Sequence, residues 1–163
     1  MGNEEEQNAL YSQVGFIVIN WGHCEQSLEL LINTLHRQFG GDKLPKRKKM
    51  PRQLSSKLDF VKECTLSISA LSPHKDELDK LVHDFKAIKE IRHGLIHGAV
   101  TDDPVINGVF TFIRLQAEPD IHEVKPFQYD LKDFQKLSKT LVLLGVAAPK
   151  VARSIFEASQ KLP

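Results

Sequence analysis

Residues 89–98, KEIRHGLIHG, combine the side-chain types that can bind a phosphate group and move a proton beside it. Arg92 and His97 are five residues apart, which on a helix is a rise of ~7.5 Å and a rotation of ~140°. An arginine side chain is long enough to reach back toward the imidazole, so both groups can converge on one phosphate. His97 falls in the last helical turn, where the helix dipole favours the protonated imidazole and suits proton donation near neutral pH.

The element that must position this pair is an amphipathic helix that ends at Gly98. Its apolar residues repeat at helical spacing, at Leu78, Leu81, Phe85, Ile88, Ile91 and Leu95. Arg92 follows Ile88 by four residues and therefore lies on this apolar stripe. A charge placed there is either paired, directed into a cleft or used in a subunit contact. His93, next to Arg92, either takes part in the site or lies at its surface.

Three other helices are predicted from the same periodicity. The first extends from about Glu4 to Gln38 and ends at Gly40-Gly41, since glycine commonly terminates helices. The second begins near Pro51 and stops near Ser72. The last helix follows Asp130, a residue type that caps helix N-termini.

A segment of different character lies between the third and the last helix. Residues 105–128 are rich in β-forming side chains, and Pro119-Asp120 is a turn signal, which together predict a β-hairpin or a partly extended segment. Thr101-Asp102-Asp103-Pro104 is interpreted as a break before it. The predicted fold class is mainly α, a four- to five-helix bundle with a β-hairpin or extended insertion before the last helix. A single domain spanning residues 1–163 is expected from the length.

Composition excludes several classes of protein. The net charge is +1, so any affinity for nucleic acid must come from a local patch rather than from bulk charge. Two isolated cysteines, Cys24 and Cys64, form neither a disulfide framework nor a zinc knuckle, and both are expected to be small buried residues. The acidic N-terminus and the absence of an apolar run of ~18 residues predict a cytoplasmic protein without a membrane span.

The one dense basic segment is Lys46-Arg47-Lys48-Lys49. These four side chains could steer RNA toward the Arg92–His97 pair, or they could form a solvated loop. The run also resembles a nuclear-localisation patch, a pattern that occurs often by chance. No aromatic residues are interleaved with the lysines, which weakens the nucleic-acid interpretation.

Two carboxylates, Glu25 and Glu90, are candidates for supporting the Arg92–His97 pair. Glu25 lies on the flank of the first helix's apolar stripe and is expected to support a basic group, with Arg92 as one candidate. Glu90, His93 and His97 share one helical face and could offer metal ligands, but Gly94 replaces the glutamate that an H-E-x-x-H zinc site requires. Neither a P-loop nor a dinucleotide-binding glycine pattern is present. We therefore expect no metal and no cofactor.

Arg92-His93-x-x-x-His97 resembles the R-x(4–6)-H motif of HEPN domains, in which a polar residue commonly follows the arginine. The surroundings are also similar: the motif ends a central helix, small residues follow it, and a long first helix carries Trp21 and Glu25. The resemblance implies an all-α bundle that forms a homodimer, with the two motifs facing each other in one composite site. Many such domains are metal-independent endoribonucleases in toxin–antitoxin or defence systems.

The resemblance also implies roles for the site residues. His97 would act as general acid or base during attack of the RNA 2′-hydroxyl on the adjacent phosphate, and Arg92 would hold the phosphate. His93 would support Arg92 or the phosphate. Ala99 stands where toxins paired with a nucleotidyltransferase-type antitoxin often have tyrosine, which disfavours that subtype. Other HEPN domains are non-catalytic modules that bind RNA, a nucleotide or a protein partner such as an antitoxin, and this alternative stays open.

Overall fold

The computed structural model describes residues 4–45, 47, 49–106, 108–118 and 121–160. This part of the chain contains four α-helices: α1 Glu4–Gln38, α2 Leu54–Ser67, α3 Lys75–His97 and α4 Leu131–Ser159. The predicted mainly helical fold with an extended insertion before the last helix is confirmed. The second helix is shorter than predicted, because Ser69–His74 forms a separate 3-10 helix. Within the described residues, no helix combines the length and the hydropathy that a bilayer-spanning segment requires.

The insertion is a three-stranded antiparallel sheet in the order β1-β2-β3, with β1 Ala99–Ile106, β2 Val109–Glu118 and β3 Ile121–Asp130. The predicted hairpin corresponds to β2 and β3, which pair Phe112 with Phe127. The predicted turn at Pro119-Asp120 lies outside the described residues.

The interpretation of residues 101–104 as a break is wrong, because they belong to β1. This strand lies at the edge of the sheet, where one side of the backbone needs no partner and proline is tolerated. Its register against β2 also shifts between Val100 and Val105. Such an irregular edge strand carries little of the alternation by which a strand is recognised in a sequence.

The described chain forms two compact units. The first comprises the described residues of the ranges 1–21 and 87–141. Its core contains an aromatic cluster: Phe110 meets Phe134 at 5.8 Å between ring centroids, and Tyr129 contacts Phe112 and Phe134 at 6.1 and 5.7 Å. These rings join the inner face of the sheet to the first turns of α4.

Asp130 caps α4, as predicted. The backbone N–H of Asp133 donates to Asp130 Oδ1 at 2.8 Å, and the N–H of Asp130 donates in return to Asp133 Oδ2 at 3.0 Å. This reciprocal pair satisfies two backbone donors that a helix N-terminus otherwise leaves unpaired. It fixes the point at which β3 ends and α4 begins.

The second unit comprises the described residues of the ranges 22–86 and 142–163. Both cysteines lie in it as buried thiols, as predicted. Burial raises the pKa of Cys24 to about 11 and that of Cys64 to about 12. Both thiols are therefore protonated near neutral pH and are poor nucleophiles.

Candidate active site

The candidate pair lies in the last turns of α3, which pack closely on the sheet in the first unit. Gly94 lies 3.6 Å from the ring of Phe127, measured from the point where a Cβ would stand. Gly98 follows the helix, its N–H donates to the Gly94 carbonyl at 2.9 Å, and its Cβ position is 3.2 Å from Phe112 Cβ. A Cβ at Gly98 would push the end of α3 away from β2, whereas a Cβ at Gly94 would make an ordinary contact with Phe127. Gly98 therefore sets how closely His97 approaches the sheet.

Arg92 is half-buried and lies against an aromatic ring. Its guanidinium carbon is 5.5 Å from the centre of the Trp21 ring, which is 3% exposed. Such stacking stabilises a cation on an otherwise apolar stripe. The Nε atom of Arg92 is buried, and the described residues supply no hydrogen-bond partner for it. A buried donor of this kind is normally satisfied, so an acceptor at this point would be favourable.

His93 and His97 lie one helical turn apart and contact each other. Their ring centroids are 4.6 Å apart at an interplanar angle of 61°, an edge-to-face arrangement. His93 is half-buried, whereas His97 is exposed at the end of the helix. The two imidazoles therefore share one small surface but differ in their access to water.

Arg114 is the site residue that sequence reasoning missed. It lies on β2, two residues after Phe112, and therefore on the sheet face that α3 covers. Burial, followed by the charge of Arg114, lowers the pKa of His93, and His97 and Arg92 act in the same direction. Glu90 acts in the opposite direction. His93 is therefore neutral at pH 7 and able to accept a proton.

Glu90 is exposed on the same face of α3. The described residues contain no group of three His, Cys, Asp or Glu side chains that could hold a metal ion, and this includes the set Glu90, His93 and His97.

The predicted basic segment lies in the second unit. Lys46 and Lys48 fall outside the described residues. Arg47 forms an ion pair with Glu63 at 2.6 Å, and its guanidinium lies over Phe60, 6.0 Å from the ring centre. Its charge is therefore paired within the fold. Lys49 is exposed and lines a groove that Glu25 also lines. The structure thus places Arg92, His93 and His97 together, and places Lys49 and Glu25 together in the other unit.

The arrangement at the end of α3 can perform acid–base chemistry on an anion. A neutral imidazole, a second and exposed imidazole, and two guanidinium groups lie on the last helical turns and the adjoining strand. Comparisons of the chain with protein-family models, curated proteins and solved structures gave no match.

Proposed function

We propose that the chain is a HEPN-like endoribonuclease that cleaves RNA without a metal ion, and that it acts as a homodimer. The observation that carries this proposal is the edge-to-face contact of His93 and His97, 4.6 Å apart, with arginines on the same helix and on the adjoining strand. Cleavage of RNA by its own 2′-hydroxyl needs one group to remove a proton and one to supply a proton. Two imidazoles in unlike environments meet that need.

The reaction is a transesterification at phosphorus. His93, whose pKa is lowered, accepts the proton of the ribose 2′-hydroxyl as its oxygen forms a bond to phosphorus. The bond from phosphorus to the 5′-oxygen breaks, and protonated His97 donates a proton to that oxygen. The products are a 2′,3′-cyclic phosphate and a 5′-hydroxyl, with the proton count balanced between the two imidazoles.

The arginines stabilise negative charge and do not transfer protons. Negative charge accumulates on the non-bridging oxygens of the phosphate in the transition state, and fixed cations stabilise it there. Arg92 is held by the Trp21 ring and so loses little side-chain freedom when the phosphate binds.

The test of this function is cleavage of a mixed-sequence RNA in EDTA by the parent protein and by His97→Ala. Cyclic phosphate ends formed by the parent and lost in the variant would establish the proposed chemistry.

The second candidate function is a non-catalytic module that binds RNA or a partner such as an antitoxin. The stacking of Arg92 on Trp21 favours this module, because part of the guanidinium surface is then structural. A module would keep its RNA affinity in His97→Ala and would show no turnover in either protein.

Dimerisation is expected because α1 exposes large apolar side chains in the unit that contains the site. Tyr11, Phe16 and Ile19 are 66%, 50% and 63% exposed. Exposed apolar side chains gain free energy when a partner chain removes them from water, which favours association. Light scattering at ~50 µM should give twice the mass of one chain, since association depends on concentration. Ile19→Glu should shift the protein to monomer, whereas Leu66→Glu, at an equally exposed position on α2, should not. A monomeric parent protein would contradict the composite site.

Arg114→Gln should change the pH dependence of cleavage. Removing this cation relieves part of the effect that lowers the pKa of His93, so His93 stays protonated to a higher pH. The acid limb of the rate–pH profile should therefore shift to higher pH, and the NMR titration midpoint of the His93 ring should rise by the same amount. Lys132→Gln, an exposed cation at the start of α4, is the matched control. An unchanged His93 titration midpoint would show that Arg114 does not act on His93.

A further inference from the structure

The second unit contains a separate groove that the proposed ribonuclease function does not use. It is an open concavity of about 970 Å³, bounded by α1, the first turn of α2 and the segment that joins Lys49 to Arg52. Small-molecule and cofactor sites commonly have volumes of ~300–1,000 Å³. Its lining residues are Glu25, Gln26, Glu29, Lys49, Met50, Pro51, Arg52 and Lys57.

The segment that forms one wall of the groove is anchored on its N-terminal side. Arg47 is fixed by its ion pair with Glu63, and His36 Nε2 donates to the Arg47 carbonyl oxygen at 3.1 Å. Pro51 is buried. Lys49 and Arg52 therefore extend from backbone that is held from both sides. Binding a ligand there would order little of the main chain, which lowers the entropic cost.

The charges in the groove are only partly compensated. Lys57 Nζ lies 2.6 Å from Glu29 Oε2, and the Lys57 side chain is only 17% exposed, so this pair is neutralised within the wall. Lys49 and Arg52 are exposed, and within the described part of the chain neither has an ion-pair partner. Glu25 on α1 is likewise exposed and has no such partner among those residues. The groove thus offers two uncompensated cations on one wall and one uncompensated carboxylate on another.

This pattern matches a ligand that carries an anionic group and hydroxyl donors a short distance apart. A guanidinium with an ammonium is a typical phosphate-binding combination. A carboxylate is the acceptor that nucleotide-binding proteins commonly direct at ribose hydroxyls. Met50, which also lines the groove, supplies apolar surface on which a base can pack.

We propose that this groove is a binding site for a ribonucleoside 5′-phosphate, with Lys49 and Arg52 on the phosphate and Glu25 on the ribose hydroxyls. The site lies in the unit that does not contain Arg92, His93 and His97. The two proposals name different residues, so each can fail without the other.

Calorimetric titration of the full chain with AMP tests the site. AMP should bind at ~50 mM salt, and the double variant Lys49→Gln/Arg52→Gln should weaken binding by about tenfold or more. The control Arg37→Gln/Lys62→Gln removes the same charge from exposed positions outside the groove and should leave affinity unchanged. Absence of AMP binding, or equal weakening by both double variants, would overturn the proposal.

Two further titrations examine the assigned contacts and the source of the ligand. 2′-Deoxy-AMP should bind about tenfold more weakly than AMP, and Glu25→Gln should remove most of that difference, because it takes away a charged acceptor. Equal affinity of the parent for the two nucleotides would contradict the role of Glu25. A short RNA that competes fully with AMP would show that the ribose phosphate comes from a strand, whereas AMP binding that RNA leaves in place supports the free nucleotide. His97→Ala should bind AMP like the parent protein.

Discussion

His97→Ala should reduce cleavage of RNA in EDTA by ~10²–10⁴-fold, the range that a positioned acid or base contributes. The substitution removes the exposed imidazole that donates a proton to the 5′-oxygen. Without that proton the leaving group must depart as an alkoxide, which is far more costly. The measurement is a single-turnover rate on a fluorescent RNA, with product ends identified as cyclic phosphates by mass spectrometry.

The structure provides a matched control for this experiment. His83 is another exposed histidine on α3, outside the candidate site, and His83→Ala should cleave at the parental rate. Because His97 is exposed, its replacement leaves no cavity, and the unfolding midpoint should change little. Equal cleavage by parent and His97→Ala would indicate a contaminating nuclease and would contradict the proposal. Absence of cleavage by both proteins would leave the binding module as the better interpretation.

The shape of the rate–pH profile distinguishes the proposed base, His93, from the proposed acid, His97. His93→Ala should also abolish most activity, but it should in addition remove the acid limb of the rate–pH profile, because the group that must be deprotonated is then absent. His97→Ala leaves His93 in place and should therefore keep the acid limb. Two variants of the same residue type, one turn apart, should thus differ in the shape of the rate–pH profile.

The parts of the site that could be predicted from the sequence are those set by local periodicity. The apolar stripe through Ile88 and Leu95 placed the motif on a helix, and Gly98 marked its end, which the structure gives as His97. Asp130 is predictable as a cap from its residue type just before an apolar stripe, and the partner that the structure gives it, Asp133, is only three residues away. Each of these features needs only neighbours within one or two turns.

The parts that could not be predicted depend on contacts between distant segments. The sequence leaves open whether Arg92 is paired, directed into a cleft or used in a subunit contact, and only the structure shows its guanidinium over Trp21. Arg114 had no helical spacing to link it to the motif, and only its two-residue offset from Phe112 indicated which sheet face it shares. Strand β1 was missed because its pairing with β2, rather than its own pattern, makes it a strand.

Gly98→Ala should be the most destabilising small substitution near the site. A Cβ at this position would collide with the Gly94 carbonyl oxygen and come within 3.2 Å of Phe112 Cβ. The carbonyl belongs to the backbone of α3 and Phe112 belongs to the core, so neither can move without disturbing the packing of the helix on the sheet. Overpacking of this kind costs ~1–3 kcal/mol, and we expect at least the middle of that range.

Denaturant unfolding measures this cost, and Gly22→Ala is its control. Gly22 lies within α1, and nothing would come within 4 Å of a Cβ there. Since glycine is a poor helix former, Gly22→Ala should stabilise the protein by ~0.5–1 kcal/mol. Two Gly→Ala substitutions should thus change the free energy of unfolding in opposite directions. Equal effects would mean that α3 does not pack on the sheet as described.

The same substitution links the fold to the chemistry. Gly98 follows His97 directly, so an end of α3 displaced by a few tenths of an ångström moves the imidazole relative to Arg114 on β2. Catalytic groups lose rate steeply when misplaced, so cleavage by Gly98→Ala should fall well below the parental rate even at temperatures where the variant is folded. Full activity in a folded but destabilised Gly98→Ala protein would show that the position of His97 against the sheet is unimportant. The proposal that the packing of the end of α3 on β2 positions the reacting imidazoles would then be wrong, whatever the outcome for His97→Ala.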